Sequence, residues 1–287
     1  MLYTPVNHFN WQVDNFGTMS DSAQGTEVPG HANANTKGAN TALLAGIAED
    51  CYGIAILMSA GHSTTVIRRH LTDLLIDPDA GAGNAGSSWS VKIDNLYANS
   101  PAMGNGGPGW WYYFPLFLKA GTAIGAAHQD LVAASNMRMG IRVYGKPSRP
   151  DLVKVGNKVQ TLGAVTATTS GTAVTMGVLG AQGSYSATLG TLNLDSWWWQ
   201  LGIGSNDASM SASQAWFDIA CNATTKVLCA QEIPYGIVGS AEQAHKGAMG
   251  AVPPIQNIGS GQDVYVRGVT SSTAFDTTIT AVVYAVS

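Results

Sequence analysis

Charge is scarce in this chain. Of its 287 residues, 14 are Lys or Arg and 18 are Asp or Glu, so only 11 % carry charge. A typical soluble domain carries roughly 25 %. Few long charged side chains remain to cover a large surface, which implies that part of it is covered by other subunits. A small-residue all-β protein that is merely low in charge is the plainer alternative. The net charge is −4, and the densest basic stretch is Lys146, Arg149, Lys154 and Lys158, spread through a segment broken by Pro147 and Pro150. Nucleic-acid affinity rests on cations clustered against phosphates, so no nucleic-acid partner is expected.

Cysteine is scarcer still. Cys51, Cys221 and Cys229 are odd in number and sparse. Buried free thiols in a reducing cytoplasm fit them better than a disulfide framework, with a Cys221–Cys229 hairpin bridge as the lesser alternative. The opening M-L-Y-T-P-V-N-H-F-N-W-Q-V-D lacks a basic region and an unbroken apolar core, so no signal peptide is expected. No window approaches the ~20 apolar residues of a membrane span.

Catalytic signatures are missing too. There is no G-x-S-x-G elbow, no phosphate-binding loop and no H-E-x-x-H. His31, His62, His70, His128 and His245 are scattered without metal-ligand spacing. Asp77, Asp79 and Asn84 cluster oxygens but do not complete a calcium loop. The expectation is no enzyme, no catalytic residue, no metal and no cofactor.

What the chain does contain is itself, twice. Asp50 precedes C-Y-G-I-A-I-L-M and Asp195 precedes S-W-W-W-Q-L-G-I. Asp73 and Asp218 are each followed by apolar residues at the same offset of 145. Gly121/Gly261 and Tyr144/Tyr284 recur at an offset of 140. Two offsets, changing once between Asp73 and Gly121, describe two homologous units with one shorter loop in the second. The paired last strands keep Met139/Ile279, Ile141/Ala281 and Val143/Val283 apolar, with drifting residues between them. That is a strand with one face on a core. Short strands between Gly, Pro, Asn and Ser clusters predict an all-β protein of two tandem homologous antiparallel β-sandwich, jelly-roll-like domains. The expected divisions are an N-terminal arm (1–24), a first sandwich (25–145), a linker (146–170) and a second sandwich (171–287). The arm docks either on a neighbouring subunit or on its own domain.

Differences between the copies point to candidate sites. Gly53 in one copy stands where Trp198 stands in the other, so that position faces outward and Trp198 is a candidate exposed aromatic. W-W-Y-Y-F at 110–114 has no aromatic counterpart, so the fold does not require it. Its alternation puts Trp110, Tyr112 and Phe114 on one face and Trp111 and Tyr113 on the other. Three roles stay open: extra core, subunit contact, or stacking on a glycan. The candidate interface or glycan-stacking residues are Trp110, Trp111, Tyr113, Trp198 and Tyr265. Asp50/Asp195 and Asp73/Asp218 recur at strand ends, where turn or hydrogen-bonding roles are expected.

The repeated Y-F-P-L-F-L-K-A-G-T-A-I-G-A … M-G-I-R-V-Y-G unit resembles virion proteins of tailed bacteriophages. It is also similar in style to the tandem-sandwich head spikes of gene transfer agents. The resemblance covers about residues 25–145 and 171–287 and rests on a strand, P-x-x-x-x-A-G turn and strand pattern. It implies a decoration or spike protein of the capsid, collar or tail, located in the virion after assembly in the bacterial host cytoplasm. It further implies a homo-oligomer touching other virion proteins. In the alternative, the chain is a spike module that recognises host surface polysaccharide. No catalytic residue is carried over.

Overall fold

A computed structural model describes residues 12–15, 18–20, 23–60, 68–81, 86–100, 110–147, 154–163, 165, 169, 171–178, 180–185, 188–205, 213–237, 251–252, 257–270 and 279–287. Among these every regular element is a strand, as the period-two pattern predicts. His62, Asn84 and His245 lie outside the described residues.

Four sheets form two sandwiches. The first sheet of the first sandwich contains β1 (Gln12–Asn15), β2 (Thr18–Ser20), β3 (Ala23–Val28), β5 (Gly53–Ala60), β8 (Trp110–Phe114) and β10 (Met137–Tyr144). Its order is β2-β3-β10-β5-β8, and β1 pairs with β10 of its own chain. The facing sheet has β4 (Thr41–Leu44), β6 (Arg68–Asp77), β7 (Ser90–Ser100) and β9 (Ala123–Asp130) in the order β4-β9-β6-β7. The core between them is lined by Ile54, Ile56, Leu74, Ile93, Phe114 and Ile141, among others.

The second sandwich repeats this plan. One sheet holds β11 (Val159–Leu162), β12 (Thr172–Ala173), β15 (Trp198–Ser205), β18 (Ala251–Val252) and β20 (Ile279–Val286). The other holds β13 (Met176–Val178), β14 (Thr188–Thr191), β16 (Ser213–Cys221), β17 (Val227–Ile237) and β19 (Asp263–Thr270). Trp199, Leu201, Phe217, Ile219 and Val264 fill the space between them.

The repeat extends to single hydrogen bonds. In the first sandwich Leu71 faces Tyr97 and Leu75 faces Val91; in the second Trp216 faces Pro234 and Ala220 faces Leu228. Both hairpins carry two register shifts, at matching places. Cys51 bridges Leu118, and Ser196 bridges Ile258. The Asp50 carboxylate accepts the Ala120 amide at 2.9 Å, and the Asp195 carboxylate accepts that of Ser260 at 2.8 Å. Gly121 and Gly261 follow at φ 87° and 80°, left-handed values that favour glycine.

One pairing from the sequence shifts. Tyr144 sits opposite Gly53, but Val286 sits opposite Trp198. The structural counterpart of Tyr144 is therefore Val286 rather than Tyr284. A slip of two leaves every side chain on its original face, so alternation alone does not reveal it.

β20 is buried along its whole length. Ile279, Ala281, Val283 and Ala285 face the second core, whereas Val282, Tyr284 and Val286 belong to the first. Its unbroken apolar run, I-T-A-V-V-Y-A-V, reflects a strand covered on both sides.

Candidate functional site: the junction between the sandwiches

β7 and β8 are the last strands of their two sheets, so the first sandwich is open along that edge. The outer face of the β15–β20 sheet closes it. Tyr284 inserts between the layers, with ring centroids 5.4 Å from Tyr112 and 6.1 Å from Phe114, both edge-to-face. Its hydroxyl accepts the Tyr97 amide at 2.7 Å and donates to the Asn95 carbonyl at 2.8 Å. Tyr112 donates its hydroxyl to the Tyr97 carbonyl at 2.6 Å. Burial, ahead of any neighbour, pushes the Tyr284 phenol well above its usual range, so it is neutral at every physiological pH.

Trp198 lies beside this plug. It points away from its own core, as the Gly53/Trp198 exchange implies, but it does not meet water freely. It is half-buried against Tyr113, centroids 5.9 Å apart, and its indole N–H donates to the Tyr113 carbonyl at 3.3 Å. Tyr113 in turn covers Gly53, where a Cβ would come within 2.7 Å of its hydroxyl. The expectation of an exposed Trp198 is thus corrected: outward from one sandwich is inward to the other.

The remaining candidates are dispersed. Trp111 is 43 % exposed on the outer face of β8, opposite Leu57. Trp110 opens β8, and its side chain lies outside the described residues. Tyr265 is buried on β19, with the Lys226 ammonium 3.5 Å from its ring centroid. The structure therefore joins Tyr113 to Trp198 and leaves Trp111 and Tyr265 apart.

An acidic cluster lies at the edge of the junction. Asp73 on β6 accepts Lys37 Nζ at 2.7 Å and the Asn95 amide at 2.9 Å. Asp94 stands beside it on β7. Lost hydration first, then the hydrogen bond to Asp73 and its charge, push the carboxyl of the exposed Asp94 up to about 6. Burial lowers Lys37 despite the opposing charge of Asp73. The Asp94 carbonyl accepts the Thr161 hydroxyl of the second sandwich at 2.6 Å. Sequence reading singled out Asp73 but not Lys37 or Asp94, because these lie on other elements with no local motif.

Asp218 repeats the role of Asp73. It accepts the Glu232 amide at 2.9 Å and an Arg267 N–H at 2.9 Å. Asn95 and Glu232 both have φ near +54° at a strand irregularity, so each aspartate holds a bulge. Asp77 accepts the amides of Asp79, Ser87 and Ser88 at 3.1, 2.7 and 2.8 Å. Those amides hold its carboxyl below the usual range, and its oxygens staple a loop. Among the described residues no group of three or more His, Cys, Asp or Glu could hold a metal. Cys51, Cys221 and Cys229 are buried and free.

No protein-family model matches the chain, and no curated protein does. Solved structures align with the chain at low identity and low TM-score. PNGF-II aligns at 8 % identity and TM-score 0.39, over 96 % of this chain; the chain spans 64 % of that protein's length. A recombinant peptide:N-glycanase F aligns at 11 % identity and TM-score 0.40, covering 91 % of this chain and 95 % of that one. The STIV major capsid protein aligns at 9 % and 0.28, covering 91 % and 96 %. The CBM22 tandem domain of Paenibacillus barcinonensis Xyn10C aligns at 10 % and 0.29, covering 96 % and 90 %. The expectation that the chain is no enzyme is corrected here: a glycanase stands among its structural neighbours. A missing sequence signature does not exclude catalysis.

Proposed function

We propose that the chain is a structural protein of a tailed-phage virion, working as a multimer on the capsid, collar or tail. The observation that carries this reading is the closed junction. Tyr284, Tyr112, Tyr97, Trp198 and Tyr113 lock two sandwiches into one body with a fixed mutual orientation. A repeated lattice needs building blocks of fixed shape, whereas a tethered binding module does not. The low charge, 11 % of residues, supports a surface shared with other subunits.

Light scattering across a concentration series, combined with peptide mapping of density-purified phage particles from the source culture, tests this. A multimer, and peptides of the chain in those particles, are expected. A strict monomer that is absent from the particles contradicts the proposal.

One observation favours a second reading, recognition of a host polysaccharide. Trp111 presents an indole 43 % exposed on a sheet face, as stacking on a sugar requires. A glycan array probed with the intact chain and with Trp111→Ala tests it. Binding lost in the variant supports the reading; no binding by the intact chain removes it.

A further inference from the structure

The first sandwich holds a buried titratable cluster with no counterpart among the described residues of the second. His70 on β6 and His128 on β9 are both fully buried, and Asp130 is 4 % exposed beside them. The pairing of β6 with β9 sets His70 opposite Asp130 and Thr72 opposite His128. The two imidazole centroids are 5.4 Å apart, and His70 Nδ1 lies 3.5 Å from the Asp130 carboxylate. Two side chains that gain charge on acidification thus share one carboxylate inside a core.

A strap lies over this cluster. Beyond the reach of β4, residues 29–40 run beside β9. The Asn35 amide donates to the Asp130 carbonyl and the Gly38 amide to the His128 carbonyl, each at 2.8 Å. Lys37 fastens the strap to Asp73 at 2.7 Å and to the Leu71 carbonyl at 2.9 Å. The strap's backbone bonds therefore end on the two residues of β9 that carry the titratable side chains.

The second sandwich closes the same place with apolar groups. By register, His70, Thr72, His128 and Asp130 correspond to Ala215, Phe217, Gly268 and Thr270. Gly183 donates its amide to the Gly268 carbonyl at 3.0 Å, as Gly38 does to His128. Met176 and Phe217 fill the space that a side chain at position 268 would take: a Cβ there would meet the Met176 sulfur at 2.6 Å and the Phe217 ring at 3.0 Å.

We propose that the first sandwich carries an acid-released strap: protonation of the buried histidine pair frees residues 29–40 from β9, while the Gly183–Gly268 contact of the second sandwich stays closed. The groups facing His128 are His70 from β6, Asp130 from its own strand, and Lys37 and the Pro29 carbonyl from the strap. β10 contributes the uncharged Met137, which accepts the Thr72 hydroxyl at 3.2 Å. The strap's own imidazole, His31, accepts the Asn33 amide at 2.9 Å.

The sign follows from burial. Burial first, then the charge of His70, hold His128 down to about 3, with Asp130 opposing. A released histidine returns to about 6.5. The open form then binds more protons, so closure is complete above about pH 6.5 and weakens as pH falls from there towards 3.

Amide hydrogen exchange of the full chain, corrected for the intrinsic pH dependence of exchange, tests the proposal at Gly38 and Gly183. One released histidine multiplies the opening equilibrium about 25-fold between pH 7 and pH 5. That gain is expected at Gly38 and not at Gly183. A triple variant, His70→Ala, Thr72→Phe and His128→Gly, transplants the second sandwich's residues and should abolish the gain. Equal pH dependence at the two amides in the unmodified chain overturns the proposal. So does a folded triple variant that keeps the gain at Gly38. If the variant does not fold, the comparison within the unmodified chain decides.

Discussion

The Tyr284 hydroxyl donates to the Asn95 carbonyl at 2.8 Å, joining the last strand of the second sandwich to an edge strand of the first. The same oxygen accepts the Tyr97 amide, so one side chain satisfies two backbone groups of β7. In the second sandwich the position of Tyr97 is taken by Pro234, which has no N–H to offer. That edge is blunted where the first one is capped.

Tyr284→Phe keeps the ring packing and removes both bonds. Leaving buried backbone groups short of a bond costs about 1–3 kcal/mol each. Thermal unfolding should therefore show a loss of about 2–4 kcal/mol. Trp198→Ala should cost about 2 kcal/mol, less than a fully buried Trp because its ring is half-buried. A Tyr284→Phe chain as stable as the parent would show that these bonds do not hold the junction.

Asp73→Asn and Asp218→Asn test the paired bulges. Each variant weakens an amide bond to a left-handed residue and breaks an ion pair, with Lys37 or Arg267. Chemical denaturation should give a loss of about 1–3 kcal/mol for each, similar in the two sandwiches. A large loss at one and none at the other would mean that the repeated geometry does not carry a repeated role.

Asp94 supplies a pH signature. Its folded carboxyl is raised to about 6, above the ordinary Asp value of about 3.9. The folded state therefore binds more protons between these values, and this group's effect on stability worsens as pH rises through about 4–6. Asp94→Asn should raise the melting temperature at pH 7.5 and leave it nearly unchanged at pH 3.5. A variant less stable than the parent at pH 7.5 would contradict this.

Gly121→Ala and Gly261→Ala isolate backbone conformation. A Cβ at Gly261 meets nothing within 4 Å, and at Gly121 only Gly81 atoms beyond 3.6 Å. The cost at φ 87° and 80° is then conformational, about 1 kcal/mol each by thermal unfolding. Equal stability would show that these turns relax to other backbone angles.

Much of the fold was legible because the chain states it twice. Asp50 and Asp195, Asp73 and Asp218, and Gly121 and Gly261 each keep one structural task, so their spacing exposed the repeat. The Tyr144/Tyr284 pairing escaped by two residues, because strand alternation is unchanged by that slip. The position of Trp198 was half legible. Exchange with Gly53 shows which way the side chain points, but not that another sandwich waits there. Lys37, Asp73 and Asp94 come together from a loop and two strands, and no local pattern announces such a meeting. The histidine cluster left a trace: His128 stands where the copy has Gly268, an exchange inside a buried strand pair.

Differential scanning calorimetry of the intact chain and of Tyr284→Phe tests most directly whether the two sandwiches are welded into one body. A single cooperative transition is expected for the intact chain, moving as a whole to lower temperature, or splitting, in the variant. Two separate transitions in the intact chain, neither shifted by Tyr284→Phe, would contradict it.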